Sequence, residues 1–172
     1  MRAFIAFEIP EFIRSKIEKI QHEIHVDKCI KLTKREQLHI TLNFLGFIDE
    51  KKFDEIKKKM ETIEIKKHYV EIKHVGFFPS IVRPTVLYVG VYDIKEVATK
   101  LFYYIKHGEL VDKGHITIAR IKCKPSKEFF DSVERLKEIY IGSFFIDKLT
   151  IFESILSKEG AIYKKIYEKS LQ

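Results

Sequence analysis

Apolar residues recur at three- and four-residue spacing in four stretches of the chain, the period of a helix with one buried face. Ile13, Ile17, Ile20 and Ile24 form the first stripe, entered through Pro10, a residue favoured at helix starts. Phe53, Ile56, Met60 and Ile63 form the second, behind Asp49. Val97, Leu101 and Ile105 form the third, with Asp93 and Glu96 at capping-box spacing ahead of it. Ser126 is placed to cap the fourth, which carries Phe130, Val133 and Leu136 and is predicted to end at Tyr140. Segments 2–8, 30–33, 38–45, 69–76, 85–91, 115–122, 144–155 and 161–168 have strand character, and Gly76 to Pro84 reads as a loop. The order of elements predicts an α+β fold with two pseudo-symmetric lobes. Each lobe is expected to be an antiparallel sheet with helices packed on its outer face, with a cleft between the lobes. No linker or low-complexity tract divides residues 1–172, so a single bilobal domain is expected.

Composition adds limits. With 172 residues, 45% hydrophobic, including 14 Phe and 8 Tyr, the chain can fill one core. No apolar run approaches the ~18 residues of a membrane span, and the N-terminal segment is interrupted by Glu8 and Pro10. A cytoplasmic protein that meets no membrane is expected. Cys29 and Cys123 stand alone without metal-ligand spacing, which predicts reduced thiols. The net charge of +7 favours a polyanionic partner. A single Asn and three Gln beside abundant Lys and Glu point to a thermophile. The Lys51–Lys59 run reads as a solvated helix face, and His22 and His25, three apart, lack the further ligands of a metal site.

The candidate chemistry lies in a repeated phrase, "LHITLNFLG" from Leu38 and "GHITIARIK" from Gly114. Seven His and seven Thr in 172 residues give roughly 0.3 His-x-Thr triplets by chance. Both occurrences fall in predicted strands, a little under half a chain apart. Strand side chains alternate faces, so His39, Thr41 and Asn43 are expected on one face, as are His115 and Thr117 on theirs. Two such strands facing across a pseudo-twofold axis would place two imidazoles and two hydroxyls around one cavity. That set suits phosphodiester cleavage. One neutral imidazole takes a proton from the nucleophile, and one imidazolium gives a proton to the leaving oxygen. The threonine hydroxyls hold the non-bridging oxygens as charge develops. Arg120 could clamp the same oxygens, but its parity points it away unless the strand bulges. Asn43 is a candidate substrate contact. His74 shares parity with Val70 and Ile72 and is expected to pack in the core or cleft wall.

These motifs, with "RAFIAFEIP", "RPTVLYVGV" and "LTIFESILSKEGAIYKKI" around them, resemble the 2H phosphoesterase superfamily. Within it they resemble the RNA 2′,3′-cyclic phosphodiesterase branch, also called 2′-5′ RNA ligase or LigT-like. The resemblance implies hydrolysis of RNA 2′,3′-cyclic phosphate ends to 2′-phosphomonoesters with no cofactor or metal, and a monomer is expected. It implies that His39 is the proton donor and His115 the acceptor, with Thr41, Thr117 and Arg120 on the phosphate. Reversal would join RNA ends through a 2′-5′ linkage. The alternatives are a catalytically silent module of the same fold that holds RNA ends or a nucleotide, and an enzyme acting on a small cyclic nucleotide or a cyclic-phosphate sugar. Two departures stand out. Gly114 replaces the Pro that usually precedes the second motif, which predicts a looser start to that strand, and the stretch from Tyr92 to Lys113 is shorter than usual.

Overall fold

A computed structural model describes all residues 1–172 as ten strands and four α-helices. In chain order they are β1 (Arg2–Glu8), α1 (Glu11–His22), β2 (Ile30–Leu32), β3 (His39–Phe47), α2 (Glu50–Thr62), β4 (His68–Phe78), β5 (Val86–Tyr92), α3 (Lys95–Ile105), β6 (Glu109–Leu110), β7 (His115–Ile121), α4 (Lys127–Glu134), β8 (Tyr140–Ile146), β9 (Lys148–Ser157) and β10 (Gly160–Ser170). The strands form two antiparallel five-stranded sheets, β10-β9-β1-β3-β6 and β2-β7-β5-β4-β8. α2 and α3 cover the first sheet, and α1 and α4 the second. This is the α+β, two-sheet arrangement expected from the pattern.

The apolar stripes explain the helices. Ile13, Ile17 and Ile20 on α1, and Ile56 and Met60 on α2, are buried in a core of 42 residues that runs through both lobes. Asp49 caps α2 by accepting from the Lys52 amide, and Ser126 caps α4 by accepting from the Phe129 amide. The capping box expected at Asp93 does not form. Ile94 takes the N-cap position of α3 with no side-chain cap bond, and Asp93, at a positive φ of 69°, stands outside the helix. The fourth helix stops at Glu134, and Tyr140 instead opens β8. The segment read as one strand over 144–155 is two, β8 and β9, broken at Asp147.

Two further departures concern the lobes themselves. β2 lies just ahead of β3 in sequence yet pairs with β7, and β6 lies just ahead of β7 yet pairs with β3. Each lobe thus takes its edge strand from the other lobe's half of the chain. α1 also crosses, and Lys16 Nζ donates to the Ile141 carbonyl of β8 at 2.9 Å. Cys29 and Cys123 are not free thiols. They are joined as a disulfide, with Cα atoms 5.7 Å apart, because the pairing of β2 with the end of β7 brings them together across 94 residues.

Candidate active site

His39 opens β3 and His115 opens β7, and these two strands approach each other between the sheets. The rings are held in the same way. His39 Nδ1 donates to the Gln37 carbonyl at 2.5 Å, and His115 Nδ1 donates to the Lys113 carbonyl at 2.8 Å. A carbonyl only accepts, so each bond fixes the neutral tautomer with the proton on Nδ1 and leaves Nε2 to act as base or, once protonated, as acid.

Neither strand keeps strict alternation. In β3 the partners across β1 run Glu8–His39, Phe7–Ile40, Ala6–Thr41, then Ile5–Asn43, so Leu42 is an extra residue in a bulge. In β7 the partners across β5 run Gly90–His115, Val89–Ile116, Tyr88–Thr117, then Leu87–Ala119, so Ile118 is extra. Both bulges fall three residues after the histidine. Each is held by an exchanged edge strand: the Val111 amide, just after β6, donates to the Leu42 carbonyl at 3.0 Å, and the Thr33 amide, just after β2, donates to the Ile118 carbonyl at 2.9 Å. Buried Gln21 of α1 adds a second donor to the Ile118 carbonyl at 2.9 Å.

The bulges decide which residues share the cleft face. His39 and Thr41 share one, and His115 and Thr117 share the other. The bulge at Ile118 returns Arg120 to the His115 face, opposite Val86, which removes the parity objection to it. Lys31 of β2 lies directly beside Arg120. The bulge at Leu42 has the opposite result for Asn43. It turns Asn43 toward the helices, where the side chain is fully buried and Nδ2 donates to the His107 carbonyl at 3.1 Å. The expectation that Asn43 shares the face of His39 and Thr41 is therefore wrong, and Phe44 takes the cleft position in its place. Asn43 works as a clamp: His107 Nε2 returns a bond to the Leu45 carbonyl at 3.1 Å, and Gly108, at φ 83°, packs so closely that a Cβ would collide with the Phe44 carbonyl.

Gly114 does not loosen β7. A Cβ there would lie 2.6 Å from the Val91 carbonyl oxygen, and the Val91 amide donates to the Gly114 carbonyl at 3.0 Å, so the glycine permits a close approach that fixes the strand start. His74 is not core. A bulge in β4 leaves it exposed at φ 66°, hydrogen-bonded to the Tyr92 hydroxyl.

Pattern reading missed the aromatic walls. Phe4 stacks on His39 with centroids 4.9 Å apart, and Tyr163 meets it edge-on at 5.1 Å. Phe78 meets His115 edge-on at 4.8 Å and itself stacks on Tyr88, with Lys113 Nζ over both rings. "RAFIAFE" is apolar on both faces, so nothing in it marked Phe4 as a cleft residue. Burial pushes the His39 imidazole down from 6.5 to about 4, with the positive charges of Arg14, His115 and Arg120 acting in the same direction and the Gln37 bond opposing them. Burial also lowers His115, helped by Lys113 and Arg120. Arg14 was another omission. It lies in the buried stripe of α1, where its guanidinium donates to the Ile9 and Arg35 carbonyls. No three His, Cys, Asp or Glu side chains converge as a metal-ligand set. No helix is long and apolar enough to cross a membrane.

Comparison with known proteins bears on the family and the fold. Residues 7–88, which contain the first motif, match the family described as LigT like Phosphoesterase. Over the full length, the chain is 35% identical to the RNA 2′,3′-cyclic phosphodiesterase of Methanocaldococcus jannaschii, covering 98% of this chain and 99% of that one. It is 30% identical to the protein of the same name from Archaeoglobus fulgidus, covering 96% and 98%. Among solved structures, TT0787 of Thermus thermophilus superposes with a TM-score of 0.81 at 21% identity, covering 99% of this chain and 98% of that one. E. coli LigT complexed with 3′-AMP superposes with a TM-score of 0.78 at 18% identity, covering 99% and 96%. At these identities the superpositions speak to the fold.

Proposed function

The chain belongs to the LigT-like phosphoesterase family, and we propose that residues 1–172 act as one bilobal enzyme that hydrolyses RNA 2′,3′-cyclic phosphate ends to 2′-phosphomonoesters. The observation that carries the proposal is the matched pair of imidazoles. Each is pinned through Nδ1 and starts a strand bulged at the same offset, which leaves two Nε2 atoms for one substrate.

His115 Nε2 takes a proton from water as its oxygen attacks phosphorus. The bond from phosphorus to O3′ breaks, and His39 Nε2 gives its proton to O3′. The product keeps its phosphate on O2′. Thr41 and Thr117 hydroxyls donate to the non-bridging oxygens, and Arg120 balances their charge. His115 then loses its extra proton to solvent, and His39 regains one. A 5′-hydroxyl in place of water gives the 2′-5′ linkage by the same proton transfers.

A charged His39 is scarce in the free protein at neutral pH, since its imidazole sits at about 4. The substrate supplies the remedy. A phosphodiester anion about 4 Å away contributes about 4 kcal/mol at an effective dielectric of 20. That is about 3 pH units, enough to restore the imidazolium near neutrality. Catalytic protonation is therefore coupled to binding.

The test is incubation of the protein in EDTA with an oligoribonucleotide ending in 2′,3′-cyclic phosphate, followed by phosphorus NMR. Turnover to a 2′-phosphate alone is expected. Binding without turnover would leave an RNA-end binding module, and a mixture of 2′- and 3′-phosphates would remove the assigned in-line geometry.

A further inference from the structure

The cleft face of the first sheet continues well beyond His39. A second bulge in β3, at Leu45 with Gly46 at φ 72°, sets Phe47 opposite Arg2, on the face already occupied by Phe4 and Phe44. Phe44 is 46% exposed and Phe47 83%. Burying one phenylalanine side chain is worth roughly 1.5–3 kcal/mol, so two left open beside a catalytic cleft are unexplained by folding. They are also continuous with the site. Phe4 stacks on His39 and its ring centroid lies 6.5 Å from that of Phe44.

We propose that this ramp seats the unpaired nucleotides just upstream of the cyclic phosphate, with their bases stacked on Phe44 and Phe47. The proposal rests on the phosphodiesterase reading and extends it to a substrate class, single-stranded RNA ends longer than one nucleotide. Charge on the same face sets the direction of the strand. Arg2 lies between Phe47 and Ser154, and Lys165 sits opposite Phe152, bonded to Glu8 at 2.8 Å. Glu109 flanks Phe44 from β6. The phosphates therefore follow the Arg2 side, away from the Glu109 carboxylate, and the bases lie toward β3. Aromatic stacking of this kind tolerates any base, which fits the absence of a base-reading motif.

The experiment compares wild type and Phe47→Ala on a 2′,3′-cyclic mononucleotide and on a tetranucleotide with the same terminal group. Phe47 is exposed, so the variant retains the fold. Stacking of one base predicts a KM about tenfold lower for the tetranucleotide in wild type. Phe47→Ala should abolish that advantage while its kcat on the tetranucleotide and both constants on the mononucleotide stay unchanged. In the His115→Ala background, 2-aminopurine at the penultimate position should be quenched on binding, and Phe47→Ala should remove the quench. Equal length dependence in wild type and variant would overturn the proposal, as would a switch from dimer to monomer in sedimentation with RNA kinetics intact, which would assign the face to a second copy. Failure of wild type on both substrates would sink the phosphodiesterase reading alone, and the quench would still decide this one.

Discussion

His39 sits among Phe4, Phe152 and Tyr163, whereas His115 shares its surroundings with Phe78, Tyr88 and the cations Lys113 and Arg120. The backbones that carry the two rings are alike: the same Nδ1 bond to the carbonyl two residues back, and the same bulge three residues on. What each bulge delivers differs. Five residues past the histidine, one lobe presents Phe44 and the other Arg120. At that one position the two similar strands thus differ, one offering an aromatic ring and the other a guanidinium.

The largest expected effect breaks the pair itself. His39→Ala and His115→Ala should each lower kcat/KM about 10²–10⁴-fold with the circular dichroism spectrum unchanged. A substrate with sulfur at the 3′ bridging position needs no acid to leave, so it should rescue His39→Ala and not His115→Ala. Rescue of His115→Ala instead would exchange the two roles. Next comes the charge asymmetry. Arg120→Ala should raise KM or lower kcat by about 10–100-fold on cyclic substrates of every length, the loss of a charge-assisted contact. An effect confined to long substrates would move Arg120 out of the phosphate site.

The pH response sharpens the comparison. Both imidazoles titrate below their usual 6.5 in the free protein, with His39 at about 4. The kcat/KM profile should therefore be a bell with both limbs below 6.5, and the kcat profile should lie at higher pH because the bound anion favours protonation. A kcat bell at lower pH than that of kcat/KM would contradict the coupling. The sign for stability follows from the same shift. Between about 6.5 and about 4 the unfolded chain binds a proton that the folded His39 refuses, so stability is complete above 6.5 and falls as pH drops through that window. The loss amounts to up to about 3 kcal/mol. Urea unfolding at pH 7 and 4.5 should show a smaller drop for His39→Gln than for wild type.

The last effects are on stability and leave turnover alone, and they concern the clamps on the exchanged edges. Removing the Cys29–Cys123 bond with paired serines should cost about 2–4 kcal/mol of stability. Asn43→Ala, which leaves the His107 carbonyl without its buried donor, should cost about 1–3 kcal/mol. Asn43→Ala should leave KM unchanged, and a rise in KM at full stability would return it to the substrate.

Much of this was legible from residues alone. The four helices rest on strict apolar stripes, and the paired His-x-Thr phrases stand out against chance. The misses have separate causes. Leu42 and Ile118 are apolar on either face, so no pattern betrays a bulge there, and without the bulges Asn43 and Arg120 are assigned to each other's faces. Asp93 and Glu96 have the spacing of a capping box, but spacing does not report a backbone that turns left-handed at Asp93. The disulfide depends on β2 joining the distant sheet, a topological choice that local periodicity does not encode.

That same exchange of edges bears on how the molecule comes into being. The first sheet needs β9 and β10 beside β1, and the second needs β2 beside β7 and α1 against β8. No prefix that ends before β8 contains a finished lobe, and the two halves, expressed apart, are each missing a strand that the other holds. The second lobe can close once β8 has emerged and the first only with β10, so the two histidines come into register late.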